Sequence, residues 1–240
     1  MLLVDDYTRN TWVTFLKEKS KSFMKFKAFK ALVENEENIK IKCLRSDNGG
    51  EFTSNEFNEF CETHGIKRQY SATKMPQQNG VVERKNMTVQ EAAITMLNEA
   101  KNPDGYWREA IYTTVYVQNR GHLKLNGDNT PYKPWFGRPA SVKYFRVFGS
   151  KCFIKRDDDN LGKFDSITHE IIFLGYSSTK REYICYNLGL HKIIESENVI
   201  VDDSKPRRIQ IPGSVDVEET DNEEIYTKKG EEISQEEDEE

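Results

Sequence analysis

Apolar positions along this chain fall into two textures, and the change between them divides it. Near the start, LLV and TWVTFLK read as two strands joined by the turn-forming cluster DDYTRN, so the chain opens on a hairpin. Phe23, Phe26, Phe29, Ala31, Leu32 and Val33 then recur at helical spacing between lysines, predicting a helix over residues 20–36, and residues 39–44 alternate as a strand leading to Asp47. Thr53 and Glu56 have the spacing of a capping box. They predict a helix that buries Phe57, Phe60 and Cys61 and stops at Gly65. A strand over 66–72 and the polar loop TKMPQQNG follow. Val82, Val89, Ala93, Met96 and Leu97 then form one stripe of a long helix over 80–100. Pro103 opens a last helix, GYWREAIYTTVYVQNR, with Trp107, Ile111 and Val115 facing inward.

The second texture begins at Tyr144. YFRVFG, CFIKR, EIIFLGYS, EYICYN and KIIESENVIV are short aromatic and β-branched runs spaced by Gly, Asn and Asp, the pattern of a small antiparallel barrel. GDNTPYKPWFGRPASVK, rich in Pro and Gly, reads as the linker before it. The expected organisation is therefore α/β over residues 1–137, a mixed sheet with flanking helices, then a small all-β domain over 138–203. From 204 to 240 the charge runs and the loss of apolar periodicity predict a disordered acidic tail.

Charge sharpens that division. The formal net charge is −5, yet residues 213–240 hold 13 acids and two lysines, leaving 27 acids against 33 lysines and arginines in residues 1–212. The body thus leans toward polyanions such as DNA. Cys43, Cys61, Cys152 and Cys185 form no C-x-x-C pair and have no His at ligand spacing, so neither zinc nor a disulfide framework is signalled. Asp5 and Asp6 cut short the apolar start, and no later segment has the pattern of a membrane span; the expected compartment is the nucleus or cytoplasm.

One stretch carries candidate chemistry. In LRSDNGGEF a strand stops on Asp47 and is followed by Asn48, Gly49 and Gly50, which is either a tight turn or an acid placed to hold a metal at the carboxyl end of a strand. Glu83 stands in the first turn of the long helix with 35 residues between it and Asp47. Alone it would be an acid suited to a helix N-terminus. Two carboxylates on rigid neighbouring elements can hold divalent cations for phosphoryl transfer.

LRSDNGGEF, PQQNGVVERKN, DDYTRNTWVTFLKEKS, YWREAIYTTVYVQNR and TPYKPWFGRPASVKYFRVFGSKCF together resemble the integrase of copia-type retrotransposons, over nearly everything before the acidic tail. The resemblance implies a ribonuclease-H-like fold followed by an SH3-like all-β domain. It also implies end processing and strand transfer of DNA with Mg²⁺ or Mn²⁺, and an Asp, Asp, Glu triad of which Asp47 is the second acid and Glu83 the third. No position in residues 1–240 matches the family's first Asp, on a strand expected before Met1, or its His/Cys zinc module. The reading is accordingly a truncated core that is inactive alone. Where the family's pattern has ERKNRT this chain has ERKNMT, which puts Met87 one turn after Glu83 in place of a base.

Lys67, Arg68, Arg84 and Lys85 are the candidate phosphate contacts, with solvated charge as the plain alternative. Gln77, Gln78 and Asn79 are candidate DNA contacts on a loop that otherwise reads as an ordinary strand-to-helix connection. Asp5 and Asp6 read as turn residues in preference to a substitute for the missing acid. The expected partners are DNA and full-length integrase or a second copy of the chain. The alternative function is a non-catalytic nucleic-acid-binding or interaction module from a decayed element.

Overall fold

A computed structural model describes residues 1–71, 80–100, 105–123, 127–155, 168–177 and 180–202. The TKMPQQNG loop up to Asn79, the Pro103 helix start and the acidic tail lie outside them. β1 (Leu2–Val4) and β2 (Thr11–Val13) form the predicted antiparallel hairpin. A 3₁₀ turn leads into α1 (Ser22–Glu37), and β3 (Cys43–Ser46) pairs in parallel with β4 (Lys67–Tyr70), with α2 (Asn55–Thr63) between them. The long helix α3 (Gly80–Glu99), then α4 (Trp107–Gly121) and the short α5 (Tyr132–Phe136), complete the first half.

Several boundaries differ from the periodicity. Residues 39–42 are not a strand: Glu34 on α1 holds the Ile41 N–H at 2.9 Å, and the contacts with β4 start where the Lys67 N–H donates to the Lys42 carbonyl, ahead of the ladder that begins at Cys43. The helix cap is Ser54, whose hydroxyl accepts from the Phe57 N–H, because the Thr53 hydroxyl is turned back onto the Gly49 carbonyl. Trp107, expected inward, is 55% exposed at the start of α4, with its edge against Phe15. The mixed sheet is present as two two-stranded pieces, β1–β2 and β3–β4, which do not pair with each other among the described residues.

The second half is one antiparallel sheet of β5 (Lys151–Lys155), β6 (Thr168–Tyr176), β7 (Tyr183–Asn187), β8 (Lys192–Ser196) and β9 (Ile200–Val201), in the order β8–β7–β6–β5–β9. YFRVFG is not a strand. Its backbone is spent on turns, and on Arg146 N–H to the Tyr176 hydroxyl and Gly149 N–H to the Phe173 carbonyl, while Phe145 and Phe148 turn into the core.

Three clusters hold these parts together. Phe23, Phe26, Phe29 and Val33 of α1 meet Phe57 and Cys61 of α2, with Trp12 wedged between Phe29 and Trp135. A larger cluster joins Val89, Ala93 and Leu97 of α3 and Ala110, Ile111 and Val115 of α4 to Ile172, Leu174, Ile184 and Tyr186 of the sheet. Ile171, Phe173, Cys152 and Cys185 fill the sheet's other face. The apolar run IIFL in β6 is continuous because successive side chains alternate between two buried faces. At Gly175 the approach of α4 is so close that a methyl group there would lie 2.5 Å from Thr113 Oγ1, whose hydroxyl donates to the Leu174 carbonyl. All four cysteines are free thiols. No helix among the described residues is long and apolar enough to cross a membrane.

Candidate functional site

Asp47 is the first residue beyond β3, and its carboxylate is exposed. Its Oδ1 accepts the Gly49 N–H at 3.2 Å, while Phe52 N–H to Gly49 carbonyl and Thr53 N–H to Gly50 carbonyl wind the following residues into two successive turns. Asn48 Nδ2 donates to the Ser71 carbonyl at 3.2 Å, tying the loop to the end of β4. The turn and metal readings of Asp47 are therefore compatible: one oxygen organises the turn and still has lone-pair capacity, as does the second.

Glu51, which sequence reasoning passed over, comes to the same place. A methyl group on Gly49 would lie 2.8 Å from Glu51 Oε2 and 3.2 Å from Asp47 Oδ1, so the two carboxylates converge on residue 49 and leave no room there for a side chain. The signal was present in D-N-G-G-E, but that an acid four positions on folds back depends on the turns between.

Glu83 is exposed in the first turn of α3, a position that suits an acidic residue. The candidate phosphate contacts separate into two kinds. Lys67 on β4 and Arg84 on α3 are exposed, the Arg84 guanidinium curling over the helix start so that a methyl group on Gly80 would lie 3.2 Å from its Nη1. Lys85 turns inward and donates to Gln118 Oε1 at 2.7 Å, and burial lowers the pKa of its ammonium. Arg68 also turns inward: Nη2 donates to the Phe52 carbonyl at 2.8 Å and to Ser46 Oγ at 3.2 Å. Gln77, Gln78 and Asn79 lie outside the described residues. Met87 is exposed on α3. Asp5 accepts from the Thr8 N–H and hydroxyl and Asp6 pairs with Arg9, so both acids are engaged in the hairpin turn. No group of three or more His, Cys, Asp or Glu side chains is gathered among the described residues.

Two family models match the chain. Residues 1–76 match the integrase core domain, which takes in Asp47, and residues 150–214 match the retroviral polymerase SH3-like domain, which takes in β5 to β9. The retrovirus-related Pol polyprotein from transposon TNT 1-94 of Nicotiana tabacum is 38% identical over 204 residues, and that from transposon RE1 of Arabidopsis thaliana is 35% identical over 204. Each alignment covers 85% of this chain, which spans only 15% and 14% of the two polyproteins. Among solved structures, a chain of the simian T-cell lymphotropic virus intasome in complex with PP2A regulatory subunit B56 gamma aligns with TM-score 0.49 and 14% identity, covering 83% of this chain and 70% of that one. The HTLV-2 integrase catalytic core domain in complex with magnesium aligns with TM-score 0.43 and 20% identity, covering 55% of this chain and 80% of that one. From the two family domains in this order, and from an alignment with the plant polyproteins that runs across both, the chain belongs to the integrase region of transposon-borne, retrovirus-related Pol polyproteins of the copia type.

Proposed function

We propose that this chain carries the DNA-handling core of an integrase-type polynucleotidyl transferase, with Asp47 and Glu83 as metal-holding carboxylates. The observation that supports it best is the exposed carboxylate of Asp47 at the end of β3, with its Oδ1 held by the Gly49 N–H. The donor set suits a hard cation: Mg²⁺ is commonly held by one or two carboxylates together with substrate phosphates, and Asp47 and Glu83 are oxygen donors on rigid elements. When bound, Mg²⁺ or Mn²⁺ supplies Lewis-acid activation of the attacking hydroxyl and stabilisation of the leaving oxygen.

The chain's own residues do the rest. Asp47 is fixed by its bond to the Gly49 N–H, and Glu83 is carried on the first turn of α3. Lys67 and Arg84, exposed on neighbouring elements, meet DNA phosphates, whereas Arg68 and Lys85 are held by protein groups. Gln77, Gln78 and Asn79 add DNA contacts on the connection before α3. Partners are DNA and further integrase copies, and the compartment is the nucleus or cytoplasm.

Strand transfer and end processing, assayed with Mn²⁺ on residues 1–240 alone and on the same chain fused behind a strand carrying Asp, test this reading. The expected result is inactivity for the first and activity for the second, abolished by Asp47→Asn or Glu83→Gln. Fusion activity indifferent to Asp47→Asn would overturn it. A second reading, a DNA-binding module without chemistry, is favoured by the excess of 33 lysines and arginines over 27 acids in residues 1–212. A folded fusion that binds DNA but transfers no strand supports that alternative.

A further inference from the structure

Arg68 has the form of a brace. Its guanidinium lies 4.5 Å from the centre of the Phe57 ring and 4.9 Å from that of Tyr70, and Phe57 is wholly buried. From there Nη2 reaches Ser46 Oγ, immediately before Asp47, and the carbonyl of Phe52, where the loop ends. The Ser46 hydroxyl passes the contact on by donating to the Asp47 carbonyl at 3.0 Å. Tyr70 reinforces the far side: its hydroxyl donates to Asn58 Oδ1 at 2.8 Å, and Asn58 Nδ2 donates to the Thr53 carbonyl at 3.4 Å. Among the described residues no carboxylate pairs with Arg68; neutral oxygens, the Cys61 sulfur and two ring faces are its partners.

We propose that Arg68 is a positioning residue for Asp47: by tying both ends of the 47–52 loop to α2 and β4 it holds the Asp47 carboxylate where a divalent cation is bound. This rests on the reading of Asp47 as a metal ligand. Arginine suits the geometry because its guanidinium lies over the Phe57 and Tyr70 rings while Nη2 serves the two oxygens and Nη1 the Cys61 sulfur, whereas a lysine ammonium is a point charge with no planar face to lay on a ring. Groups that orient metal ligands from behind typically change metal affinity by about 10- to 100-fold when removed.

Charge and position predict opposite signs here, which makes the proposal testable. If Arg68 mattered only as a positive charge near a cation site, Arg68→Ala would tighten Mn²⁺ binding and Arg68→Lys would leave it unchanged. As a brace, its loss weakens binding in both, by roughly tenfold in Arg68→Ala and less in Arg68→Lys. The experiment is Mn²⁺ titration of the full chain followed by electron paramagnetic resonance, with hydrogen exchange of the Phe52 and Thr53 amides measured on the same samples and thermal melting to confirm folding. Faster exchange at both amides together with weaker binding is the expected result. Equal or tighter Mn²⁺ binding by folded Arg68→Ala, or unchanged exchange at both amides, overturns the proposal, and Arg68→Lys serves the same comparison if the alanine variant does not fold. Failure of Asp47→Asn to alter Mn²⁺ binding would instead overturn the metal reading, and the exchange measurement then decides the brace by itself.

Discussion

The side-chain amide of Asn119 on α4 pairs with the peptide of Thr11 on β2 as a neighbouring strand would: Nδ2 donates to the Thr11 carbonyl at 2.7 Å and Oδ1 accepts the Thr11 N–H at 3.0 Å. Both contacts are buried, and they link residues 108 positions apart. One side chain thereby closes the outer edge of the hairpin. Asn119→Ala would leave a buried N–H and a buried carbonyl unpaired, at a cost of about 2–4 kcal/mol. Urea denaturation checks it, and Asn119→Asp, which keeps the acceptor but loses the donor and buries charge, is expected to be no better tolerated.

Gly175→Ala tests the seam between α4 and the sheet. The added methyl group meets Thr113 Oγ1 at 2.5 Å, in a register shift of the β6–β7 ladder, so either the helix moves away or the Thr113 bond to Leu174 breaks. Overpacking of this kind costs about 1–3 kcal/mol. Thr113→Val removes the bond without adding bulk at residue 175, and a melting comparison of Gly175→Ala with Thr113→Val distinguishes crowding from loss of the hydrogen bond.

Glu109, largely buried in the first turn of α4, has its carboxyl pKa raised chiefly by burial, against the opposing pull of its own backbone N–H and of Arg108. A carboxyl raised in the folded state takes up a proton on folding. It therefore does not oppose folding below the unfolded carboxyl pKa, and it increasingly does so as pH rises from there through the folded value. Glu109→Gln should be more stable than the parent at neutral pH and converge with it in acid, read from denaturant midpoints across that range. Glu195, exposed on β8, is raised by partial desolvation and by neighbouring Glu182 against the Ser177 hydroxyl that donates to it, so the same sense is expected with a smaller effect.

Binding of a labelled DNA duplex should be weak, indifferent to sequence and steeply dependent on salt, because contacts to phosphate carry affinity without base readout. The 13 acids of residues 213–240 compete with phosphate for the same lysines and arginines. Deleting them should tighten binding most at low ionic strength. A titration at two salt concentrations with and without those residues measures it, and equal affinities would show that the acidic segment does not reach the bases.

Local pattern was enough for much of this molecule. Period-3.6 stripes located α1, α3 and α4, β-branched runs located β5 to β8, and the composition of DNGG put a turn after Asp47, since these are properties of residues close together along the chain. The 35-residue spacing and the motifs around it were likewise legible, and they led to the family. What sequence could not reach depends on partners distant in the chain. Which way Arg68 turns is decided by Phe57 and Phe52 lying around its guanidinium, and which way Lys85 turns by Gln118 lying across from it. The strand expected over 39–42 failed because Glu34 took the Ile41 N–H and the first contact with β4 falls at the Lys42 carbonyl, and YFRVFG failed because its aromatic rings and N–H groups were claimed by α4 and β6. Glu51 reached Asp47 through two turns, and Asn119 took the place of a strand for Thr11. In each case the residue type defined what bonds were possible, and the tertiary structure chose among them by supplying the one partner within reach.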